Sequence, residues 1–480
     1  MALPDYETAD VWRGRLHQEL LLRRTESIRL AAYYDGDQPL AFASERFRKT
    51  FYWLLHRFSD NWMRTVVDSK EERLRVEGFR VDATGGVDAV AWAMWQANDM
   101  DAQAQMAHTE TLIHGESAIT VWPGERSDGI PEITAEHPQR AIVWPHAKRM
   151  HQAAAGMRTY EDADRHEHLE VFLPGGVYLY RSDRPATPGV AGDVLRWELD
   201  EELYAGGYQP NPWGVVPMVA LSNAPRLGWV PMHYRSELWP VLPLQDALNK
   251  LIVDMLVASE FQSFRQRWAT GLELEVDDNG NVVEPFKVGV DRLFIAESEN
   301  VKFGEFSAVD LGQYTQAIDA LLIHVASIGS VPPHYLNASA DRLSGESIKA
   351  AESGLVSKVR RKMVHLGDGW ERVMRLAGLI GGIPELADAE GMETVWADPE
   401  IRTDSAQADA AIKRKEVGVP WSQLMEDLGY SPPQVERMRA ERTTDALLGV
   451  LNGGISTGQP SAAAGLGTGA PVGTTSPPAA

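Results

Sequence analysis

Two apolar stripes of helical spacing constrain this chain more than any other feature. Val241, Leu244, Leu248, Leu251, Met255, Ala258 and Gln262 recur at intervals of three and four residues, which keeps one face apolar through about seven turns of a helix starting near Ser236. Leu311, Tyr314, Ile318, Leu321, Val325 and Ile328 repeat the spacing. Between them, Gly271 to Phe306 is rich in turn residues and short β-like runs, so two long helices bracket a small β module. Val331-Pro332-Pro333 stops the second helix, because proline lacks an amide donor and restrains the residue before it.

A third helix is predicted beyond that stop. Ser344 suits an N-cap, Glu346 lies in the first turn, and Ile348, Leu355, Val359, Met363, Leu366, Trp370, Val373 and Ala377 carry the apolar face. About 36 residues of helix span roughly 54 Å. Gly354, Gly367 and Gly369 lie inside it, each at a cost of about 1 kcal/mol relative to alanine, and the close pair predicts a kink. Lys349, Lys358, Arg360, Arg361 and Lys362 sit on this helix, with Arg342 just before it. Such a run serves as a solvated or subunit-pairing face, or as a contact for a polyanion.

The first 230 or so residues mix the two periodicities, so the fold class is α+β. Helices are predicted for Val11 to Tyr34, ended by Asp35-Gly36-Asp37, for Glu45 to Val67, and for Asp88 to Ile113, ended by His114-Gly115. Ser117 to Trp122, Ile130 to Ala135, Ala141 to Trp144, Leu169 to Phe172 and Val177 to Tyr180 read as short antiparallel strands. At the other end, Asp404 to Glu416, Ser422 to Leu428 and a segment from Pro432-Pro433 to about Leu448 read as short helices. Residues 453–480 are nearly all Gly, Ala, Ser, Thr and Pro, a composition that predicts a disordered tail.

Composition narrows the chemistry. The 480 residues carry 46 Lys and Arg against 68 Asp and Glu, a formal charge of −22, which excludes a protein that grips nucleic acid over its whole surface. There is no cysteine, so disulfides, thiol catalysis and thiolate metal sites are excluded. The N-terminus shows no export signal, and no apolar run reaches the roughly 20 residues of a membrane helix. No Gly-Lys dipeptide exists for a P-loop. Gly465 to Gly469 has the look of a dinucleotide fingerprint but lies in the low-complexity tail. His166 and His168, with Asp162 and Asp164 nearby, offer metal ligands for a metal-dependent hydrolase, but no third ligand at fixed spacing completes the set. No catalytic residue, metal or cofactor is expected.

Six stretches, in this order, carry a resemblance: 61–81 (NWMRTVVDSKEERLRVEGFRV), 244–254 (LQDALNKLIVD), 267–271 (RWATG), 331–337 (VPPHYLN), 344–355 (SGESIKAAESGL) and 396–399 (WADP). Together with the order of elements, they make the chain resemble the siphophage type of tailed-bacteriophage portal protein, the head-tail connector family. The resemblance implies a homo-oligomeric ring of about twelve subunits at a capsid vertex, through which double-stranded DNA passes without sequence preference. It implies a wing over 1–235, stem helices over 236–268 and 311–328, a clip over 269–310, a tunnel loop over 329–343, a long kinked helix over 344–379 and a helical crown over 396–451. His334, Tyr335, Asn337, Arg342 and Lys349 would then face DNA, and Lys287, Arg292 and Lys302 would lie in the clip. The clip would dock the terminase large subunit and later a head-completion adaptor, with capsid and scaffolding proteins as further partners. The implied location is the virion, and the host cytoplasm during assembly; another head-tail structural protein is the alternative.

Overall fold

The computed structural model describes residues 4–39, 45, 49, 59–81, 87–124, 129–185, 196–202, 204–223, 225, 235–263, 267–271, 301–305, 310–336, 345–400, 411–430 and 432–453. The chain divides into two compact units, Met1–Arg402 and Thr403–Ala480.

The larger unit opens with α1 (Tyr6–Asp35), whose first turn is capped by the Asp5 carboxylate accepting from the Thr8 amide and whose end is Gly36 at φ 85. Only glycine adopts that left-handed cap at no cost. The predicted helix from Glu45 is not continuous, since residues 59–62 are non-helical before α2 (Met63–Glu71). Distant side chains hold that stretch in place: Asn249 accepts from the Asp60 amide at 3.2 Å and Gln245 from the Trp62 amide at 3.1 Å. The helix predicted over Asp88 to Ile113 is two, α3 (Ala89–Ala97) and α4 (Met100–His114). Asn98 breaks it, because its amide donates to Met94 O at 2.9 Å and Pro131 O at 3.1 Å while its oxygen accepts from the Ile133 amide at 3.0 Å.

All strand pairings are antiparallel among the described residues. β1 (Val76–Arg80) pairs with the far β13 (Glu393–Trp396). β2 (Glu116–Trp122) lies between β3 (Glu132–Glu136) and β10 (Met218–Ser222). A larger sheet runs β4 (Ala141–Pro145), β5 (Ala153–Glu161), β6 (Glu167–Leu173), β7 (Gly176–Ser182) and β8 (Trp197–Leu199), with β9 (Tyr208–Pro210) also on β7. Its alternation serves two faces. Leu169, Val171, Tyr178 and Tyr180 bury against Leu16 and Leu20 of α1, while Phe172, Val177 and Leu179 pack with Ala118 and Met218 of the smaller sheet.

α5 (Leu242–Ser263) and α6 (Gly312–Gly329) are the two striped helices, packed side by side. Between them β11 (Arg267–Thr270) pairs with β12 (Lys302–Glu305), the base of the expected β module. After the short α7 (Pro333–Leu336), α8 (Gly345–Ile380) runs unbroken for 36 residues, followed by α9 (Pro384–Ala387). α8 is the spine of the main core, with Leu355, Val359, Leu366, Trp370 and Val373 all buried. Trp370 meets Trp95 edge-on at 5.0 Å, and its indole nitrogen donates to His108 Nε2 at 2.8 Å. Gly378 serves a close approach: a Cβ there would sit 2.5 Å from Leu386 Cβ and 2.8 Å from the Ala387 nitrogen.

The smaller unit is helical where described. Residues 411–416, α10 (Trp421–Asp427) and α11 (Pro432–Gly453) form it, with the Arg442 guanidinium 4.9 Å over the Trp421 ring.

Candidate functional site

The segment after α6 is built on a hard stop. Ser330 adopts φ 53 and closes the helix by donating its amide to Ala326 O, after which Pro333 opens α7. Val331 and Leu336, at either side of that turn, are anchored in the main core. α7 then presents His334 and Tyr335, their rings edge-to-face at 4.8 Å.

Tyr335 is tied to a buried cation, and His334 to that cation's carboxylate partner. Arg73, which follows α2, donates from Nη2 to the Tyr335 hydroxyl at 2.9 Å and from Nη1 to Pro399 O at 2.7 Å. Its Nη2 also lies 3.4 Å from the Glu352 carboxylate of α8, and His334 Nε2 is 3.5 Å from the same carboxylate oxygen. A guanidinium satisfies several acceptors at once in a fixed fork, which a lysine cannot reproduce. The start of the 329–343 loop is therefore pinned between α2, α8 and the segment after β13. Four of the six stretches that carried the resemblance meet here: 61–81 supplies Arg73, 331–337 Tyr335, 344–355 Glu352 and 396–399 Pro399. A fifth, 244–254, supplies the Gln245 and Asn249 side chains that hold residues 60 and 62.

A second charged cluster joins α8 to the approach of α5. Lys362, one of the basic residues of α8, points inward and donates from Nζ to Glu237 at 2.6 Å and to Asn223 Oδ1 at 2.6 Å. Lys70 of α2 is fully buried 3.6 Å from the other Glu237 oxygen and also donates to Val66 O. Burial pushes the Glu237 carboxyl up, but the charges of Lys362 and Lys70 outweigh it and hold the group down at about 2. Burial lowers Lys70 to about 8, opposed by Glu237 and reinforced by the nearby Lys362 and Lys358 charges. One carboxylate thus compensates two buried ammoniums at the junction of three elements.

Asn337, Arg342, Lys287 and Arg292 lie outside the described residues. Lys349 is in the first turns of α8, and Lys302 is exposed on β12. The histidines offered for a hydrolase do not converge. His166 Nδ1 is 3.0 Å from Ser182 O, whereas His168 is buried with its two ring nitrogens 3.0 Å from Asp200 and 2.9 Å from Asp162. A histidine bridging two carboxylates, stacked on Tyr160 at 4.9 Å, is a structural clasp on the large sheet. Nothing in the local sequence marked Arg73 or Glu237, since neither stands out from the many charges around it.

Residues 14–423 match the family model described as "Phage portal protein, SPP1 Gp6-like". The chain is 33% identical over 410 residues to the portal protein of Mycobacterium phage D29, covering 81% of this chain and 79% of that protein. It is 32% identical over 441 residues to the portal protein of Mycobacterium phage L5, covering 87% and 85%. Among solved structures, a chain from the virion of a native gene transfer agent particle aligns with TM-score 0.45 and 12% identity, over 84% of this chain and 93% of that one. A chain from the neck of the same kind of particle, computed with C12 symmetry, aligns with TM-score 0.42 and 11% identity, over 76% and 88%. By its sequence relatives the protein is of the bacteriophage portal class. The chain belongs to the phage portal protein family.

Proposed function

We propose that copies of this chain close into a ring around an axial channel at one capsid vertex, and that double-stranded DNA passes through it during packaging and ejection. Membership of the portal family over residues 14–423 carries this reading. The physical chemistry agrees with it. On α6, Ile323 and Ile328 are 65% and 45% exposed, an apolar cost that a neighbouring copy removes. At −22 per copy, the channel repels a polyanion that carries one charge per roughly 1.7 Å, so DNA slides without a deep electrostatic well.

In this reading α5 and α6 are the stem and the β11–β12 module is the clip. The loop pinned by Arg73 reaches DNA with His334, Tyr335, Asn337 and Arg342, with Lys349 behind it. Lys287, Arg292 and Lys302 mark the clip surface offered to the terminase large subunit and then to a head-completion adaptor. The assembly acts as conduit and docking platform, not as a catalyst, and moves from the host cytoplasm into the virion.

Negative-stain electron microscopy of the purified chain tests the core of this. End-on views with a central hole and about twelve repeats are expected; a chain that stays monomeric at every concentration and salt overturns the ring.

A further inference from the structure

Three potential metal ligands converge at the end of α4, none of them shared with the loop anchors or the buried charge cluster. Glu110 and His114 lie one turn apart on that helix, and His137 sits in the turn between β3 and β4. The Glu110 Oε2 atom is 3.0 Å from His114 Nε2 and 3.3 Å from His137 Nε2, and the ligand atoms of all three lie within 4.8 Å of one another. Nitrogen and oxygen ligands bound tetrahedrally at 2.0–2.1 Å stand about 3.3 Å apart, so the spacing is that of a coordination shell.

His114 adds an independent observation. Its side chain is only 3% exposed, and its Nε2, although 3.0 Å from the Glu110 carboxylate, meets that oxygen off the in-plane line a hydrogen bond needs and has no hydrogen-bond partner. Its other ring nitrogen, Nδ1, is 3.0 Å from the Ser27 hydroxyl of α1. A proton on Nδ1 donated to that hydroxyl leaves the Nε2 lone pair facing the cluster, the tautomer and orientation a metal-binding imidazole needs. In that tautomer the buried lone pair is unsatisfied beside an anionic oxygen, an arrangement that a bound cation completes.

We infer that Glu110, His114 and His137 form a site for a borderline divalent cation, Zn²⁺ by its two imidazoles and one carboxylate. His137 is 41% exposed, so the fourth position opens to solvent and takes water. Ligation through Nε2 requires a proton on His137 Nδ1, so the contact from the Gln139 amide at 3.1 Å gives way, a small change for an exposed turn. The bound ion would brace the end of α4 to the β3–β4 turn and, through Ser27, to α1. It would not take part in moving DNA, so the site stands or falls apart from the ring.

The test is calorimetric titration of the full chain, stripped with chelator, with ZnCl₂. One ion per chain is expected, with affinity reduced at least tenfold in H137Q and E110Q and roughly tenfold in S27A, while H166Q binds as the parent does. Zn²⁺ should raise the melting temperature of the parent and leave that of H137Q unmoved. Because His137 is on an exposed turn, H137Q keeps the fold, and circular dichroism verifies it. The absence of saturable binding, or binding unchanged in H137Q, overturns the site.

Discussion

The guanidinium of Arg73 and the hydroxyl of Tyr335, 262 positions apart in the chain, are joined by a 2.9 Å hydrogen bond. That bond places the start of the loop after α6 under the control of a residue near the far end of the same unit. Replacing Arg73 with Ala leaves buried Glu352 without its guanidinium, with His334 as the neighbour that stays, and frees Pro399 O, so R73A should cost about 3 kcal/mol. Y335F removes one neutral acceptor and should cost about 1 kcal/mol. Urea unfolding followed by tryptophan fluorescence reads both; equal, negligible losses would mean the loop is not pinned here.

The buried Glu237 sets an acid limit. Its folded-state value of about 2 lies below the ordinary 4.5, so the stability it confers is fully present above about pH 4.5 and drains away as the pH falls toward 2. Lys70 has the same sign in a higher window. With about 8 in the fold against an ordinary 10.5, the unfolded chain holds the extra proton between those values, and stability from this group rises across that window. E237Q should cost about 3 kcal/mol at neutral pH by leaving two buried ammoniums uncompensated. It should also flatten the loss of stability between pH 5 and 3. A mutant whose acid denaturation curve parallels the parent's would refute the assignment.

Glycines inside α8 separate helix propensity from packing. Gly354 has open space where a Cβ would go, so G354A should stabilise by about 1 kcal/mol. Gly378 faces Leu386 and the Ala387 backbone, so G378A should destabilise by roughly 1–3 kcal/mol despite the same propensity gain. Melting temperatures of the two variants should move in opposite directions, and a shift of the same sign in both would remove the close-packing account.

On the proposed function, R342A should lower the DNA retained in assembled particles by roughly twofold or more, through loss of weak phosphate contacts. Quantifying encapsidated DNA after nuclease treatment decides it, and unchanged retention would rule out Arg342 as a channel contact.

What the sequence alone determined is what short-range physics encodes. The 3,4 spacing of apolar residues yielded α6 to within a residue; α5 starts at Leu242 instead of Ser236, because residues 236–241 turn before it, and ends at Ser263, with Arg267 and Trp268, expected at the end of that helix, paired in β11. The proline stop and the 36-residue α8 were legible for the same reason, since helix and turn geometry are decided within a few residues. The six stretches of resemblance were legible as sequence, but not as a structural unit.

Only the tertiary structure decided which residues act together. β5, with its run Ala153-Ala154-Ala155-Gly156, has no strand signature of its own and forms because β4 and β6 flank it. The break at residues 59–62 arises from hydrogen bonds to distant side chains, and that at Asn98 from its own side chain bonding distant backbone, neither of which local propensity contains. Lys362, indistinguishable from its basic neighbours in sequence, is the one that meets buried Glu237. Glu110 and His114 could be paired from their helical spacing, but His137 joins them only because β3 returns the chain beside α4. Periodicity is a property of neighbours along the chain; anchors, buried charges and metal ligands are properties of neighbours in space.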